Sequence, residues 1–282
     1  MSVIRTDVSL PALIDAVETN LFAAGPLLFG NMPGAEYVNG PDMIRFATSV
    51  PHPMLNGVFN AQLTPENLHA QIREALDYFQ ACHLPMMWWI GPGSRPENLG
   101  CALEAEGLTR AGEMPGMAID LAEMDADVPT PAGLLLEEVE NVAALRKWTQ
   151  VCCRGFGMPP EISEIFCAAM QKVGFGKDRP LRNFLGSHNG VPVACVSLCL
   201  VEGSAGIYCV ATVPEARRRG YAAAVVRAAL LAARARRYRI GVLEASKMGE
   251  SVYRRMGFRE VCKIGTYHWY PADMAPEAET VV

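Results

Sequence analysis

The chain has 282 residues and a formal net charge of −5, and half of its residues are hydrophobic while 20% are charged. This length suits two globular domains of about 130 to 150 residues, and the acidic balance argues against a general nucleic-acid binder. No apolar run of about 18 residues predicts a membrane span, and the first residues lack the basic and apolar regions of a secretory signal.

Cysteine and histidine usage indicates a reducing compartment and no metal site. The nine cysteines are an odd number, and Cys195, Cys199 and Cys209 lie in apolar, strand-like runs, where a thiol packs as a small hydrophobic group. The five histidines show none of the paired spacings that are typical of zinc ligands. We therefore expect a cytoplasmic protein without a bound metal.

In the first half, helical and strand patterns alternate along the chain. Residues 9–24 and 64–83 predict helices, and residues 54–63 and 86–91 predict strands. A short helix that ends near Gly107 and a strand that runs to residue 121 follow. Residues 124–133 are rich in Pro, Asp, Ala and Gly, which favours an exposed connection.

The second half continues with single helices set between strands. Helices are predicted over 141–156, 159–174, 221–236 and 249–256. Strands are predicted over 181–188, 191–201, 205–213, 240–245, 258–264 and 266–270. This order favours an α+β fold, a mixed α/β layer architecture with helices packed on the sheet.

An internal repeat links the two halves. Residues 103–121 resemble residues 253–271, with Gly107 opposite Gly257, and in both copies a short helix ends at a glycine before a strand begins. A strand, a long helix and a short strand precede each copy in the same order. We predict tandem domains over residues 1–125 and 134–282, with a linker over 126–133.

The stretch ATVPEARRRGYAAAVV, residues 211–226, predicts an anion site. It places three arginines, Arg217, Arg218 and Arg219, before Gly220 at the start of a helix, where the helix dipole disfavours cations. Free backbone N–H groups at that end, together with the arginines, suit a pyrophosphate. A solvated basic turn is the alternative interpretation of this segment alone.

Two motifs together resemble the GNAT superfamily of acyl-CoA-dependent N-acyltransferases. The first is [QR]-x-x-G-x-[GA] after a strand, here Arg217 to Ala222, and the second is A-x-x-x-Y-x-x-x-G-F after a later strand. The second motif corresponds here to Gly249, Tyr253, Gly257 and Phe258, with Gly249 in place of the alanine. The resemblance covers about residues 134–271. It implies a GNAT fold in two tandem domains, each with a central mixed β-sheet flanked by helices.

The resemblance also implies acetyl-CoA as co-substrate and assigns residues to it. The free edge of the strand before the loop would pair with the pantetheine arm, and the loop would bind the pyrophosphate. The residues that the resemblance assigns to the cofactor are Val210, Ala211, Thr212, Arg217, Arg218, Arg219, Gly220, Tyr221, Ala222, Ala223 and Ser246, the last in place of the family's asparagine.

Two residues are candidates for the chemistry. The resemblance implies that Tyr253 protonates the leaving thiolate, which suits a phenol with a pKa near 10. Glu244 is the nearest carboxylate to the cleft by topology and is the candidate base, with a water chain as the alternative. A packing role for Tyr253 and a salt-bridged or solvated role for Glu244 are the structural alternatives. No covalent role is assigned to Cys209.

The first half lacks the cofactor motifs. The segment that corresponds to the arginine-glycine loop has Thr64 and Pro65 but no glycine, and Leu103 is opposite Tyr253. We therefore expect a degenerate GNAT-like domain that walls the acceptor pocket.

The whole pattern predicts an N-acetyltransferase that acts on a small-molecule amine, without nucleic-acid or membrane partners. An aminoacyl-type transferase and an acyl-CoA sensor without turnover are the alternatives. The acceptor and the oligomeric state stay open, with a homodimer as one option.

Overall fold

The computed structural model describes residues 3–275. The helices are α1 (Leu10–Phe29), α2 (Leu68–Ala81), α3 (Leu99–Ala105), α4 (Val142–Phe156), α5 (Pro160–Val173), α6 (Tyr221–Ala235) and α7 (Glu250–Arg255). The strands are β1 (Glu36–Asn39), β2 (Ile44–Ala47), β3 (Gly57–Phe59), β4 (Met86–Ile90), β5 (Thr109–Asp120), β6 (Leu134–Glu138), β7 (Leu181–His188), β8 (Val191–Val201), β9 (Ser204–Thr212), β10 (Ile240–Glu244) and β11 (Arg259–Trp269).

The chain forms two compact units. The larger unit contains the described residues up to Met32 together with Pro115–Cys262. The smaller unit contains Pro33–Met114 together with the described residues from Lys263 onward.

In the larger unit the sheet order is β5-β10-β9-β8-β7-β6. Neighbouring strands are antiparallel except β9 and β10, which are parallel and are connected through α6, because parallel neighbours need a crossover. Helices α4 and α6 pack on β8 and β9. Trp148 of α4 is fully buried and donates its indole N–H to the carbonyl of Val196 at 3.1 Å, which fixes α4 on the sheet.

The smaller unit repeats this plan in fewer strands. Its sheet order is β1-β2-β3-β4-β11, and again one pair, β3 and β4, is parallel and is connected through a helix, α2. Side chains of α2 and α3, among them Phe79 and Leu99, bury Trp88 of β4. The internal repeat predicted from the sequence is therefore present in both units as strand, helix, parallel strand and short helix.

The compact units do not follow the predicted boundary at residues 126–133. Residues 116–120 of β5 pair with β10 in the larger unit, whereas residues 265–269 of β11 pair with β4 in the smaller unit. Strand β5, the last strand of the first half, thus pairs beside the parallel strands β9 and β10 of the second half. Strand β11, the last strand of the second half, pairs beside the parallel strands β3 and β4 of the first half. Residues 126–133 form no helix or strand and lie within the larger unit.

Most of the predicted elements are present, and the differences are local. All seven predicted helices are found, and α1 continues beyond the predicted end to Phe29. The predicted strands over 258–264 and 266–270 are one continuous strand, β11, because Gly265 is accommodated within the ladder to β4. Strands β1, β2 and β6, which have four or five residues each, were not predicted.

By length and composition alone, helix α1 could cross a membrane. The sequence analysis did not predict this. The buried residues Leu13, Ala16 and Val17 of α1 pack on Ile240 and Val242 of β10 within the larger unit. A core helix of a globular unit meets the same criterion, so this is weak evidence for a span.

Candidate active site

Strands β9 and β10 separate after a short parallel contact. Their ladder consists of Gly241 with Ala205 and Val242 with Gly206. Beyond these pairs β9 continues to Thr212 while it stays paired with β8 on its other edge. Among the described residues, no strand pairs with the β10-facing edge of β9 from Ile207 onward, so this backbone edge can pair with an extended ligand.

The three residues predicted to contact the pantetheine arm lie on this open edge. Val210 and Thr212 are partly exposed and Ala211 is buried. Just before them, the register with β8 shifts and Cys209 has a φ of 50°, which marks a bulge. The hydroxyl oxygen of Thr212 is buried without a hydrogen-bond partner among the described residues.

The turn after β9 presents backbone donors at the start of α6. Arg218 has a φ of 62° and Gly220 a φ of 78°, and these left-handed residues turn the chain into the helix. Within residues 3–275, no backbone acceptor bonds the N–H groups of residues 218–223, and Gly220 supplies no side-chain cap. Successive free N–H groups at a helix start form an anion site.

The three arginines of the turn have different surroundings. Arg218 and Arg219 are exposed, so their guanidinium groups are available to a phosphate. Arg217 instead donates from Nη2 to the carbonyl of Gly155 at 2.9 Å and from Nε to the carbonyl of Thr212 at 3.3 Å. These two hydrogen bonds brace the turn, and the contact of Arg217 with the cofactor stays a prediction.

The helix that follows packs tightly behind the turn. Tyr221 is buried and its ring stacks on His188 with a centroid distance of 5.4 Å. Ala222 and Ala223 are partly exposed and carry only methyl groups, so their N–H groups remain accessible.

Glu244 is the last residue of β10, the strand that separates from β9 after their short parallel contact. Its Oε1 atom is buried without a hydrogen-bond partner in the described part of the chain, although the residue as a whole is partly exposed. Desolvation raises the pKa of this carboxyl group to about 8. A carboxyl group with a pKa near neutrality suits a general base. Among residues 3–275, Glu244 forms no salt bridge of the kind considered from the sequence.

Tyr253 lies on α7 and is 8% exposed. Burial raises the pKa of its phenol to about 12, so the hydroxyl stays protonated at neutral pH. The ring meets Phe258 edge-on at 5.8 Å, while no hydrogen-bond partner is found for the hydroxyl among the described residues. Its assignment as the proton donor stays a prediction.

Gly249 and Ser246 stand where the family has alanine and asparagine, and each has a distinct local environment. A Cβ atom at Gly249 would lie 2.8 Å from Cε2 of Tyr253, so the glycine lets the tyrosine ring lie close to the backbone. The hydroxyl of Ser246 accepts a hydrogen bond from the Gly249 N–H at 3.2 Å. This hydrogen bond lies just before α7. The predicted contact of Ser246 with the cofactor stays a prediction.

The thiols near the site are not suited to covalent catalysis. Hydrogen bonding with Cys152, followed by burial, raises the pKa of Cys209 well above its ordinary value. A neutral thiol is a poor nucleophile. Across residues 3–275, no cluster of three or more His, Cys, Asp and Glu side chains is arranged to hold a metal ion.

A comparison with protein families identifies the segment that carries these residues. Residues 142–258 match the sequence model of the acetyltransferase (GNAT) family. This segment is a GNAT acetyltransferase domain. It contains the open strand edge, the arginine-glycine turn, Glu244 and Tyr253. No curated protein sequence matches the chain.

Solved structures similar to the whole chain have the same fold. A GCN5-related N-acetyltransferase from Kribbella flavida is 15% identical and has a TM-score of 0.69, with 89% of this chain and 95% of that chain covered. A GCN5-related N-acetyltransferase from Sphaerobacter thermophilus is 16% identical and has a TM-score of 0.63, with 86% of this chain and 84% of that chain covered. A tandem GNAT protein from the clavulanic acid biosynthesis pathway is 13% identical and has a TM-score of 0.60, with 95% of this chain and 94% of that chain covered. The chain therefore has a tandem GNAT fold.

In the smaller unit, β3 and β4 correspond to β9 and β10, but the strand edge that is open in the GNAT domain is hydrogen-bonded here. The N–H of Arg95 donates to the carbonyl of Ala61 at 2.8 Å, and the N–H of Leu63 donates to the carbonyl of Arg95 at 3.2 Å. Residue 95 thus pairs with the edge that is free in the GNAT domain. The side chains of Thr64 and Asn67 also bond each other's backbone N–H groups, where the GNAT domain leaves donors free.

Sequence reasoning missed Gly155, which the structure brings against the site. A Cβ atom there would lie 2.6 Å from Cβ of Ala211, so the last turn of α4 contacts β9 directly. The sequence offers no signal for this contact, because the two residues are far apart in the chain and the glycine lies inside a regular helix.

Proposed function

We propose that the GNAT domain transfers the acetyl group of acetyl-CoA to a primary amine of a small molecule by direct attack in a ternary complex. The observation that carries this proposal is the combination of an open strand edge with an anion-binding turn at its end. Thioester cofactors such as acetyl-CoA have an amide-containing arm and a pyrophosphate, which suit these two features in this order.

The chain's own residues fit this ligand. The edge of β9 offers unpaired backbone groups to the amides of the arm, and the free N–H groups of residues 218–223 meet the pyrophosphate. Arg218 and Arg219 add charge-assisted contacts to phosphate oxygens. A phosphate at the N-terminus of α6 would also be favoured by the helix dipole.

Glu244 and Tyr253 supply the proton transfers. Glu244 in its carboxylate form accepts a proton from the amine, whose nitrogen forms a bond to the acetyl carbonyl carbon as the carbon–sulfur bond breaks. Tyr253 donates its phenolic proton to the departing thiolate and is reprotonated from solvent. The raised pKa of Glu244, about 8, makes it a stronger base than an ordinary carboxylate, and the raised pKa of Tyr253, about 12, keeps the acid protonated.

A screen of small amines with acetyl-CoA, in which free thiol is detected, tests this proposal. Thiol release that depends on both an amine and the intact chain supports it. Binding of acetyl-CoA without thiol release across the screen would favour an acyl-CoA sensor. Thiol release with aminoacyl donors alone would favour the aminoacyl-type transferase.

A further inference from the structure

The last turn of α4 lies directly on the open strand. The Cβ position of Gly155 is only 2.6 Å from Cβ of Ala211, so a side chain at residue 155 would force the helix away from β9. Helix α4 ends at Phe156 and is capped by Gly157, which has a φ of 69°, and the N–H of Met158 donates to the carbonyl of Cys153 at 2.8 Å. The end of α4 and the segment that follows it therefore border the proposed cofactor site.

Arg217 connects this helix end to the turn before α6. Its Nη2 atom donates to the carbonyl of Gly155, and its Nε atom donates to the carbonyl of Thr212. Its backbone has a φ of −64° and a ψ of 161°, and the left-handed residue Arg218 that follows sends the next side chains outward. One guanidinium group therefore joins α4, β9 and the turn.

The charge of Arg217 is placed where a helix favours it. The C-terminus of a helix carries partial negative charge, so the guanidinium is favourable at the end of α4. Of the three adjacent arginines at the start of α6, the first thus serves the end of another helix. The nearby pair of Arg154 and Glu215, at 2.6 Å, joins the same two segments but is exposed, where ion pairs contribute little.

We propose that Arg217 is a positioning residue that couples the turn to the end of α4, so that CoA bound at the turn orders residues 153–158. This inference rests on the proposed function, since it takes CoA as the ligand of the turn. A phosphate held by the N–H groups of residues 218–223 fixes the backbone that carries Arg217. Arg217 then fixes the carbonyl of Gly155, and the segment after α4 forms an ordered wall beside the open strand for the acceptor amine.

Amide hydrogen exchange of residues 153–158, measured with and without CoA, tests the coupling. We expect CoA to slow exchange of the Gly157 and Met158 amides about tenfold in the wild-type chain, the factor that corresponds to one hydrogen bond from a charged group. Arg217→Gln should lose this CoA-dependent protection, and Arg217→Lys should recover part of it. Arg154→Gln, which removes only the exposed ion pair, is the matched control and should keep the protection.

Calorimetry with CoA on the same variants separates positioning from phosphate binding. Arg217→Gln should still bind CoA, with a smaller loss of affinity than Arg218→Gln, whose lost charge-assisted contact should weaken binding by about tenfold. Equal losses in the two variants together with unchanged exchange in Arg217→Gln would make Arg217 a phosphate ligand and overturn the proposal. CoA that binds the wild-type chain without slowing exchange would overturn it as well. A wild-type chain that binds no CoA would instead overturn the proposed function.

Discussion

At the scale of single residues, Glu244 and Tyr253 lie in environments that favour the protonated form of each side chain. Burial without a counter-ion raises both pKa values, which leaves the carboxyl group near neutrality and the phenol fully protonated. A base and an acid of this kind are what an acyl transfer to an amine needs. The sequence could name both residues as candidates, but the burial that raises their pKa values depends on how the strands pack.

For Tyr253, we expect Tyr253→Phe to lower kcat by about 10² to 10⁴, because the ring remains while the proton donor is lost. Its hydroxyl has no hydrogen-bond partner among the described residues, so the melting temperature should change little. Calorimetry should show nearly unchanged CoA affinity. Full turnover in the phenylalanine variant would leave solvent as the proton donor and remove Tyr253 from the mechanism.

For Glu244, we expect kcat/KM of the wild-type chain to rise with pH through about 8, because only the carboxylate accepts a proton. Glu244→Gln should lower kcat by about 10² to 10⁴ and remove this rise. Glu161→Gln, an exposed glutamate of α5, is the matched control and should keep the wild-type profile. A rise near pH 8 that persists in the glutamine variant would assign it to the acceptor amine.

Glu244 also predicts how stability changes with pH. Its folded pKa of about 8 lies above the ordinary 4.5, so between these values the folded chain holds a proton that the unfolded chain has lost. The contribution of Glu244 to stability is therefore fully present below about pH 4.5 and is lost as pH rises through about 8. Glu244→Gln should be more resistant to denaturant than the wild-type chain at pH 9, by up to a few kcal/mol, and closer to it at pH 5. Equal resistance of the two proteins at pH 9 would mean that the carboxyl group is well solvated.

At the scale of elements, the sequence predicted the turn before α6 but not the role of each arginine. The run of cations before a glycine correctly indicated a helix start with free donors. It could not show that Arg217 bonds Gly155, since that contact joins residues that are 62 positions apart. Likewise, the structure explains why residue 249 is a glycine, because a Cβ atom there would lie 2.8 Å from the ring of Tyr253. Motifs carry information on backbone geometry, whereas such side-chain contacts depend on tertiary packing.

The turn itself predicts the effect of a carboxylate at its centre. We expect Gly220→Asp to weaken CoA binding roughly 100-fold, because it strains a left-handed position and sets a negative charge beside the phosphate. Gly107→Asp is the matched control, since Gly107 is also left-handed, at a φ of 92°, with open space around its Cβ position but in the smaller unit. Calorimetry on both folded variants gives the comparison. Unchanged affinity in Gly220→Asp would show that the turn does not bind the pyrophosphate.

At the scale of the whole molecule, the repeat was legible in the sequence but the compact units were not. Hydropathy and glycine caps reveal that a short helix and a strand occur twice. They do not reveal which neighbour each strand pairs with, and here β5 pairs with β10 while β11 pairs with β4. Division of the chain at a polar linker therefore separates strands from the sheets that they complete. For the same reason, we expect a fragment that begins at residue 134 to lack the strand beside β10.

The two units also differ in what they can bind, which predicts the stoichiometry of the chain. Arg95 pairs with Ala61 and Leu63 in the smaller unit, so the edge that would hold an extended arm is already hydrogen-bonded there. Opening this edge would break those bonds, each worth about 1 kcal/mol, without an anion-binding turn to compensate. We therefore expect calorimetry to give one CoA per chain, and Gly220→Asp to weaken all of the measured binding. Two equivalent sites, or a second site that keeps its affinity in that variant, would show that the smaller unit also binds the cofactor.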